Sequence, residues 1–459
     1  HMSTPPSVVV APGFTPASVS AMPLDSFKSL SGPVGILADD LTGAGDTALQ
    51  FHGPGREAWV LPELVEAARA PVGFAAIALN TESRHRLPNE AAVAVDRGLR
   101  YLQRAGCTRF YKKIDSTLRG NLGAEILQAI HTGRFTLAIV APAFPQAGRL
   151  TVGGYQLVDG LPVNASPYGR DPLAPVKHAH LPTLLGEELG EAVALAELKD
   201  VMLGAEAVAG AIVRAVADHR RVLVADAARP EDLAAIARAM AMTPYAVLPV
   251  GSAGLARAIA QPHHLLAGPA PELLGQGPPV LVVAGSLNPV TLAQVAALPK
   301  HTERVVVDAP ALLLGEPTAM NRLIARVLPP LIAGRDVVLV TAGSEQAMRQ
   351  VGALGRDLGM GAVQTGAQLT QAMGRVVAEV VGRTRLSGLV LAGGETALGA
   401  IRALGSPPMR LLDELLPAIP LLRVELGSGP LRVVTKSGGF GPPDALVDLV
   451  ARLRRPENC

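Results

Sequence analysis

From residue 31 onward, apolar and polar positions alternate in blocks. Short runs of Val, Ile, Leu and Ala are followed by a Gly, Pro or Asp turn, and then by a stretch whose apolar residues recur at three and four positions. The first kind predicts buried strands, the second amphipathic helices, and their alternation predicts parallel α/β architecture. In the first half the pattern places strands at 34–39, 73–80, 109–114, 137–141, 222–226 and 246–250, with helices over 88–105, 121–131, 205–219 and 231–242. The segment 261–279, QPHHLLAGPAPELLGQGPP, is too dense in Pro and Gly for either element and reads as a linker. Beyond it the alternation restarts, with strands near 280–285, 304–308, 336–341, 388–392, 421–425 and 431–435.

The expected fold is therefore two α/β domains with mainly parallel sheets and a ligand cleft between them. Their expected bounds are 31–262 and 280–459, joined by a linker at 263–279. Residues 1–30 read as a loose Pro/Ser/Ala-rich tail that opens with His1-Met2, an expected expression remnant. No period of 20–50 residues is present, which argues against a solenoid.

Composition removes several classes of function. Aromatics are 3% of the 459 residues and the net charge is +2, so neither stacking platforms nor a phosphate-backbone footprint for nucleic acid is expected. No apolar run approaches the ~18 residues of a membrane span. Two cysteines, Cys107 and Cys459, make no disulfide framework or CxxC pattern, and a cytoplasmic setting is expected. The histidines show neither HExxH nor paired spacing with acids, so no metal-ligand set is read from the sequence. G-x-S-x-G and the P-loop signature are both missing. The sequence leaves open whether the chain forms a homo-oligomer.

In parallel sheets, ligands bind at the carboxyl ends of strands. Four such ends in the first half carry unusual chemistry: Asp39-Asp40-Leu41-Thr42-Gly43, Asn80-Thr81-Glu82-Ser83-Arg84, the stretch YKKIDSTLRGNLG (111–123), and APAFPQAGRLTVGGYQLVDG (141–160), which reads as a hairpin. Each alone has a plain structural reading as a helix cap or a solvated charge. Together, Arg84 and Arg119 offer planar forks for a carboxylate or phosphate, while Asp39, Asp40 and Asp115 offer hydroxyl recognition, general base action or a magnesium ligand. That set suits a small polyhydroxy acid.

The stretch ILADDLTGAGDTALQF (36–51) has three parses. As a G-x-G-x-x-A dinucleotide fingerprint it fails, because two adjacent carboxylates at the strand end would repel a pyrophosphate. As the GAGD turn of ribokinase-type sugar kinases it comes too early in the chain. Asp46 is then expected to be a first-turn helix residue facing the positive end of the dipole. Functional weight falls on Asp39 and Asp40.

The second half has three glycine turns after strands: Gly285-Ser286 with Pro289 at a helix start, Gly393-Gly394-Glu395-Thr396, and Lys436-Ser437-Gly438-Gly439 with Gly441. One such turn permits tight packing and nothing more. Three in one domain, with free N–H groups at helix starts and a lysine in the third, suit a phosphate cradle.

The ordered set ADDLTGAGDTALQF, YKKIDSTLRGNLGAEI, APAFPQAGRLTVGGYQLVDG, VLVVAGSLNPVT, LAGGETA and TKSGGFG resembles the four-carbon acid sugar kinase family over about residues 33–450. The resemblance implies an N-terminal domain for a four-carbon sugar acid, a C-terminal domain for ATP, and phosphoryl transfer to the C4 hydroxyl. It implies acid-sugar contacts at Asp39 or Asp40, Arg84 and the turn Lys113, Ile114, Asp115 and Ser116, and nucleotide contacts at Ser286, Gly393, Gly394, Glu395, Thr396 and Gly439. Members act on threonate, erythronate or a 3-oxo-tetronate, and the segment 159–185 with Gly169-Arg170-Asp171-Pro172 looks more like the threonate type.

The expected mechanism has Arg84, with Arg119, holding the substrate carboxylate, Asp39 or Asp40 accepting from hydroxyls, and one acidic side chain such as Asp115 orienting or deprotonating the C4 hydroxyl. Magnesium would bridge the β and γ oxygens of ATP. Donor and acceptor sites on separate domains call for closure, with the hinge expected at 261–279.

Overall fold

The computed structural model describes residues 32–65, 70–171, 174–260, 277–285, 288–341 and 345–455. The expected tail 1–30, nearly all of the expected linker and hinge, Pro172 and Ser286 lie outside the described residues.

In the first half the strands are β1 (Val34–Ala38), β2 (Ala58–Leu61), β3 (Ala76–Asn80), β4 (Arg109–Lys113), β5 (Leu137–Ala141), β6 (Arg149–Val152), β7 (Tyr155–Val158), β8 (Leu161–Pro162), β9 (Ala194–Ala196), β10 (Val222–Ala225) and β11 (Val247–Gly251). In the second half they are β12 (Val280–Ala284), β13 (Glu303–Val306), β14 (Val337–Val340), β15 (Gly388–Ala392), β16 (Met409–Leu416), β17 (Ile419–Leu426) and β18 (Gly429–Lys436). Every predicted strand overlaps one of these. The segment 141–160 does make a hairpin, β6 with β7, extended by β8 into a 3-stranded sheet.

The two halves share one 15-stranded sheet in the order β13-β14-β12-β15-β18-β17-β16-β2-β3-β1-β4-β11-β5-β10-β9. It is mainly parallel, as the block pattern requires. The departure is the meander β16-β17-β18, which pairs antiparallel within itself and then antiparallel to β2, Met409 opposite Val60 and Arg410 opposite Trp59. Neither β2 nor β16 was predicted. β16, MRLLDELL, has no β-branched residue and β2 is short, so local propensity favours neither as a strand.

Strand side chains alternate between two buried layers, as expected where helices cover both faces. Ile36 and Ala38 pack with Leu41, Ala44 and Ala48 on one side, while Leu37 packs with Leu99 and Leu102 on the other. The helix Leu41–Phe51 follows β1 directly and is buried at every residue. Its glycines explain how it fits. A Cβ on Gly45 would come within 3.3 Å of both Pro420 Cγ and Thr435 Oγ1, so this helix passes close beneath the meander of the second half. Two register shifts in the β16–β17 pairing bend the meander there.

Among the described residues no helix is long and apolar enough to cross a membrane.

Candidate functional site

β1 lies between β3 and β4 and is parallel to both; the connection from β1 runs to β2 on the β3 side, while that from β3 runs past β1 to β4 on the other. Such a switch point opens a crevice at the strand carboxyl ends. Three of the predicted segments meet there: Asp39-Asp40 after β1, Arg84 after β3, and Lys113 to Arg119 after β4.

Arg84 bridges the two adjacent aspartates. Its Nε donates to Asp39 Oδ2 at 2.7 Å, and its Nη2 donates to Asp39 Oδ1 at 3.1 Å and to Asp40 Oδ1 at 2.8 Å. Asp40 also caps the helix Leu41–Phe51, accepting from the Gly43 amide at 3.1 Å and from Thr42 Oγ1 at 2.5 Å. The helix-cap reading and the site reading of Asp40 therefore hold together. Asp115 Oδ2 accepts from Thr117 Oγ1 at 2.5 Å and from Arg119 Nε at 2.6 Å, and Arg119 Nη1 reaches Asp171 Oδ2 at 3.2 Å while stacking 5.1 Å from the Tyr168 ring.

The alternation along β4 sorts its two lysines. Lys112 turns to the layer where Glu125 receives it at 2.6 Å, and Lys113 turns to the crevice, where a Cβ on Gly43 would lie 2.7 Å from its Nζ. Gly43 is thus small because an ammonium occupies the space beside it. Ile114 is buried among Leu118, Leu122 and Ile126, so its side chain packs away from the crevice. Ser116 lines the crevice, and its carbonyl accepts from Gln156 Nε2 at 2.7 Å, which ties the β6–β7 hairpin to the site.

Asp46 corrects the sequence reading. It is the sixth residue of its helix, no acidic residue occupies the first turn, and it lines the crevice beside Lys113. The GAGD turn is the sequence signal for this residue, even though it lies early in the chain.

The electrostatics separate the carboxylates. Burial would raise Asp40, but Arg84 and Lys113 outweigh it and hold Asp40 below the usual carboxylate range. Burial is outweighed more strongly at Asp115, where Arg119 and Arg84 hold the carboxyl far below that range. Asp46 goes the other way: burial pushes it up to about 7, with Asp40 and Asp115 adding and Lys113 and Thr47 opposing. The physical reason is burial: Arg84 is paired with Asp39 and Asp40, Arg119 with Asp115 and Asp171, and the opposing charge of Lys113 does not offset the loss of solvent at Asp46.

The crevice is lined from both halves: Asp40, Thr42, Asp46, Arg84, Lys113 and Asp115 from the first, Ser437 and Phe440 from the second, around about 320 Å³ of space free of protein atoms. The second half also brings its glycine turns close. β12 and β15 are parallel neighbours, and their carboxyl ends carry Gly285 and Gly393 side by side, the Gly285 amide donating to Ala392 O at 3.2 Å. Gly393 takes φ +114°, a backbone state glycine permits, and Gly394 starts the helix Gly394–Ala403. The Thr396 hydroxyl packs against Gly285, where any Cβ would overlap it. Glu395 reaches His85 of the first half, Oε1 to Nε2 3.5 Å.

Lys436 is not turned outward. It is fully buried, and its Nζ donates to the carbonyls of Ser437 at 2.8 Å and Phe440 at 3.0 Å, so it braces the Ser437–Gly441 turn from within. Gln294 braces the same turn through the carbonyls of Phe440, Gly441 and Pro442. Gly439, at the centre, lies against Tyr168 and Asn288.

Among the described residues no group of three or more His, Cys, Asp or Glu side chains could hold a metal ion. The glycine turns and the bare helix start at Gly394 suit a phosphate chain.

Residues 34–259 match the family described as a sugar-binding N-terminal domain, and residues 281–446 match a nucleotide-binding C-terminal domain. The chain is 32% identical to a D-threonate kinase of Salmonella typhimurium, covering 90% of this chain and 96% of that protein. It is 30% identical to a 3-oxo-tetronate kinase of Methylobacterium radiotolerans, covering 90% and 98%. A solved structure from Salmonella typhimurium LT2 shares the fold, with TM-score 0.73 and 24% identity over 91% of this chain and 98% of that one.

Proposed function

The chain belongs to the four-carbon acid sugar kinase family, and we propose on that premise that it transfers the γ-phosphoryl group of ATP to the C4 hydroxyl of D-threonate. The observation that carries the reading is the contact between the two half-sites. The aspartate–arginine–lysine crevice of the sugar-binding half and the Gly394 turn of the nucleotide-binding half meet at Asp40.

In this reading Lys113 and Arg119 give the crevice the positive charge that receives the substrate carboxylate. Arg84 fixes Asp39 and Asp40 as acceptors for substrate hydroxyls, and with Lys113 it holds Asp40 below the usual carboxylate range, which makes Asp40 a poor base. Asp115, held still lower, is a poor base for the same reason. The C4 proton then goes to Asp46, the carboxyl whose proton affinity is matched to neutral pH. The C4 oxygen attacks the γ phosphorus as the bond to ADP breaks. Gly393, Gly394, Thr396 and Gly439 would line the phosphate chain, and Lys436 would act by holding the last turn in shape. Magnesium bound with ATP would supply charge neutralisation for the phosphate chain at the Gly393, Gly394 and Gly439 turns.

The substrate is tested by coupled ADP release on a panel of D-threonate, D-erythronate and 3-oxo-tetronate. The expected result is ADP formation only with an acid present, and a kcat/KM highest for D-threonate. A preference for either of the other acids would move the assignment within the family. No ADP with any acid would leave a sugar-acid sensor, and an absorbance change with NAD would leave a dehydrogenase.

A further inference from the structure

Arg149 opens β6 in the first half and is 3% exposed. Its guanidinium is incompletely matched. Nη1 donates to Ala147 O at 2.5 Å and lies 3.4 Å from each oxygen of Asp159, a carboxylate that is itself largely in solvent. Nε has no acceptor among the described residues, although it is buried. Nη2 faces the second half, where a Cβ on Gly439 would lie 3.5 Å from it. The plane sits 5.7 Å from the centre of the Phe440 ring in the same turn.

Two more polar side chains converge on that spot. The Tyr168 hydroxyl occupies the place a Gly439 side chain would take, and Asn288 Nδ2 lies 3.4 Å from it. Gly439 is therefore where donors from both halves meet over bare backbone. A buried guanidinium with an unmatched Nε is costly to leave so, and an oxyanion is the partner its fork fits.

We propose that Arg149 binds an oxygen of the terminal phosphate of the donor nucleotide at the Gly439 turn, and is a further catalytic residue of the phosphoryl transfer. The inference rests on the kinase reading. The alternative oxyanion is the substrate carboxylate. It is disfavoured because the cations lining the acid crevice are Arg84, Lys113 and Arg119, and Arg149 is not among its lining residues. Reaching the phosphate from the half that holds the acid, Arg149 would also report that both substrates are in place. It would stabilise charge on the phosphoryl group as its bond to the departing ADP oxygen breaks and its bond to the C4 oxygen forms.

The test uses the full chain and Arg149→Ala and Arg149→Lys variants, titrated calorimetrically with ADP and with a β,γ-imido analogue of ATP in the presence of magnesium. The expected result is that ADP affinity changes less than about threefold while analogue affinity falls about tenfold or more in Arg149→Ala, with Arg149→Lys between. In turnover, kcat falls about 100-fold or more with the KM for the acid unchanged. Equal losses for ADP and the analogue would overturn the proposal in favour of bracing the turn. So would a rise in the acid KM alone, which would assign the substrate carboxylate, or no change in either titration. If Arg149→Ala does not fold, as judged by its thermal transition, Arg149→Lys decides by the same two titrations. Wild-type protein that binds nucleotide but turns over none of the acids would sink the kinase reading and leave the titrations to judge Arg149.

Discussion

Gly394 and Asp40 touch across the two halves: a Cβ at 394 would lie 3.1 Å from Asp40 Oδ2 and 3.6 Å from Thr42 Oγ1. The carboxylate at the heart of the acid crevice thus rests on the start of the helix that follows the central glycine turn. Gly394→Ala should separate function from stability. Alanine favours the helix by about 0.5–1 kcal/mol, which roughly offsets the crowding, so the urea midpoint should hardly move. Displacing Asp40 by a few tenths of an ångström should nonetheless lower kcat about tenfold. A variant with full activity would show that the contact has no role in aligning donor and acceptor.

Asp46 makes activity and stability respond oppositely to pH. If it takes the C4 proton, kcat/KM for the acid rises with pH through about 7. Asp46→Asn should lose that limb and about 10²–10⁴-fold in rate. For stability, the folded carboxyl binds its proton more tightly than the unfolded one, whose value is near 3.8. The stability is therefore full below 3.8, falls as pH rises toward about 7, and is flat above. Urea unfolding at several pH values should show this slope in the wild type and its loss in Asp46→Asn.

Lys113 is the cation that opposes the rise at Asp46. Lys113→Met should therefore move the acidic limb of the rate profile to higher pH, and raise the KM for the acid by removing a charge from the crevice. A limb that stays in place would mean that a group other than Asp46 sets it.

Arg257 and Glu414 pair across the halves at 3.0 Å, with the Glu414 side chain 1% exposed and also accepting from the Ala418 amide at 2.9 Å. Arg257→Met leaves that carboxylate buried and unmatched, and should destabilise by about 3–5 kcal/mol in equilibrium unfolding. Adding Glu414→Gln, which keeps an acceptor for Ala418, should restore most of the loss. Failure of the second change to restore stability would assign the effect to packing of the arginine stem.

The acidic and cationic strand ends were legible in the sequence because a parallel sheet delivers the residue after each strand to one edge, whatever the helices between do. That is why Asp39, Asp40, Arg84, Lys113, Asp115 and Arg119 could be grouped before any geometry was known. Ile114 and Lys436 stood inside the right turns, yet strand alternation and the closed shape of the last turn aim their side chains elsewhere. Asp46 has its signal in the GAGD turn, but its place beside Lys113 depends on β4, and Arg149 has no local signal because the Gly439 turn it faces is far along the chain.

The sequence by itself determined the alternating α/β blocks, the half with acidic and cationic strand ends ahead of the glycine-turn half, and the family, since all three depend on local pattern and motif order. Only the tertiary structure decided that the halves fuse into one sheet through β2 and β16, that Asp46 is buried in the crevice without an arginine partner of the kind Asp39, Asp40 and Asp115 have, and that Arg149 points at Gly439. Those depend on long-range pairing and on a buried charge balance, and neither is a property of any short stretch of chain.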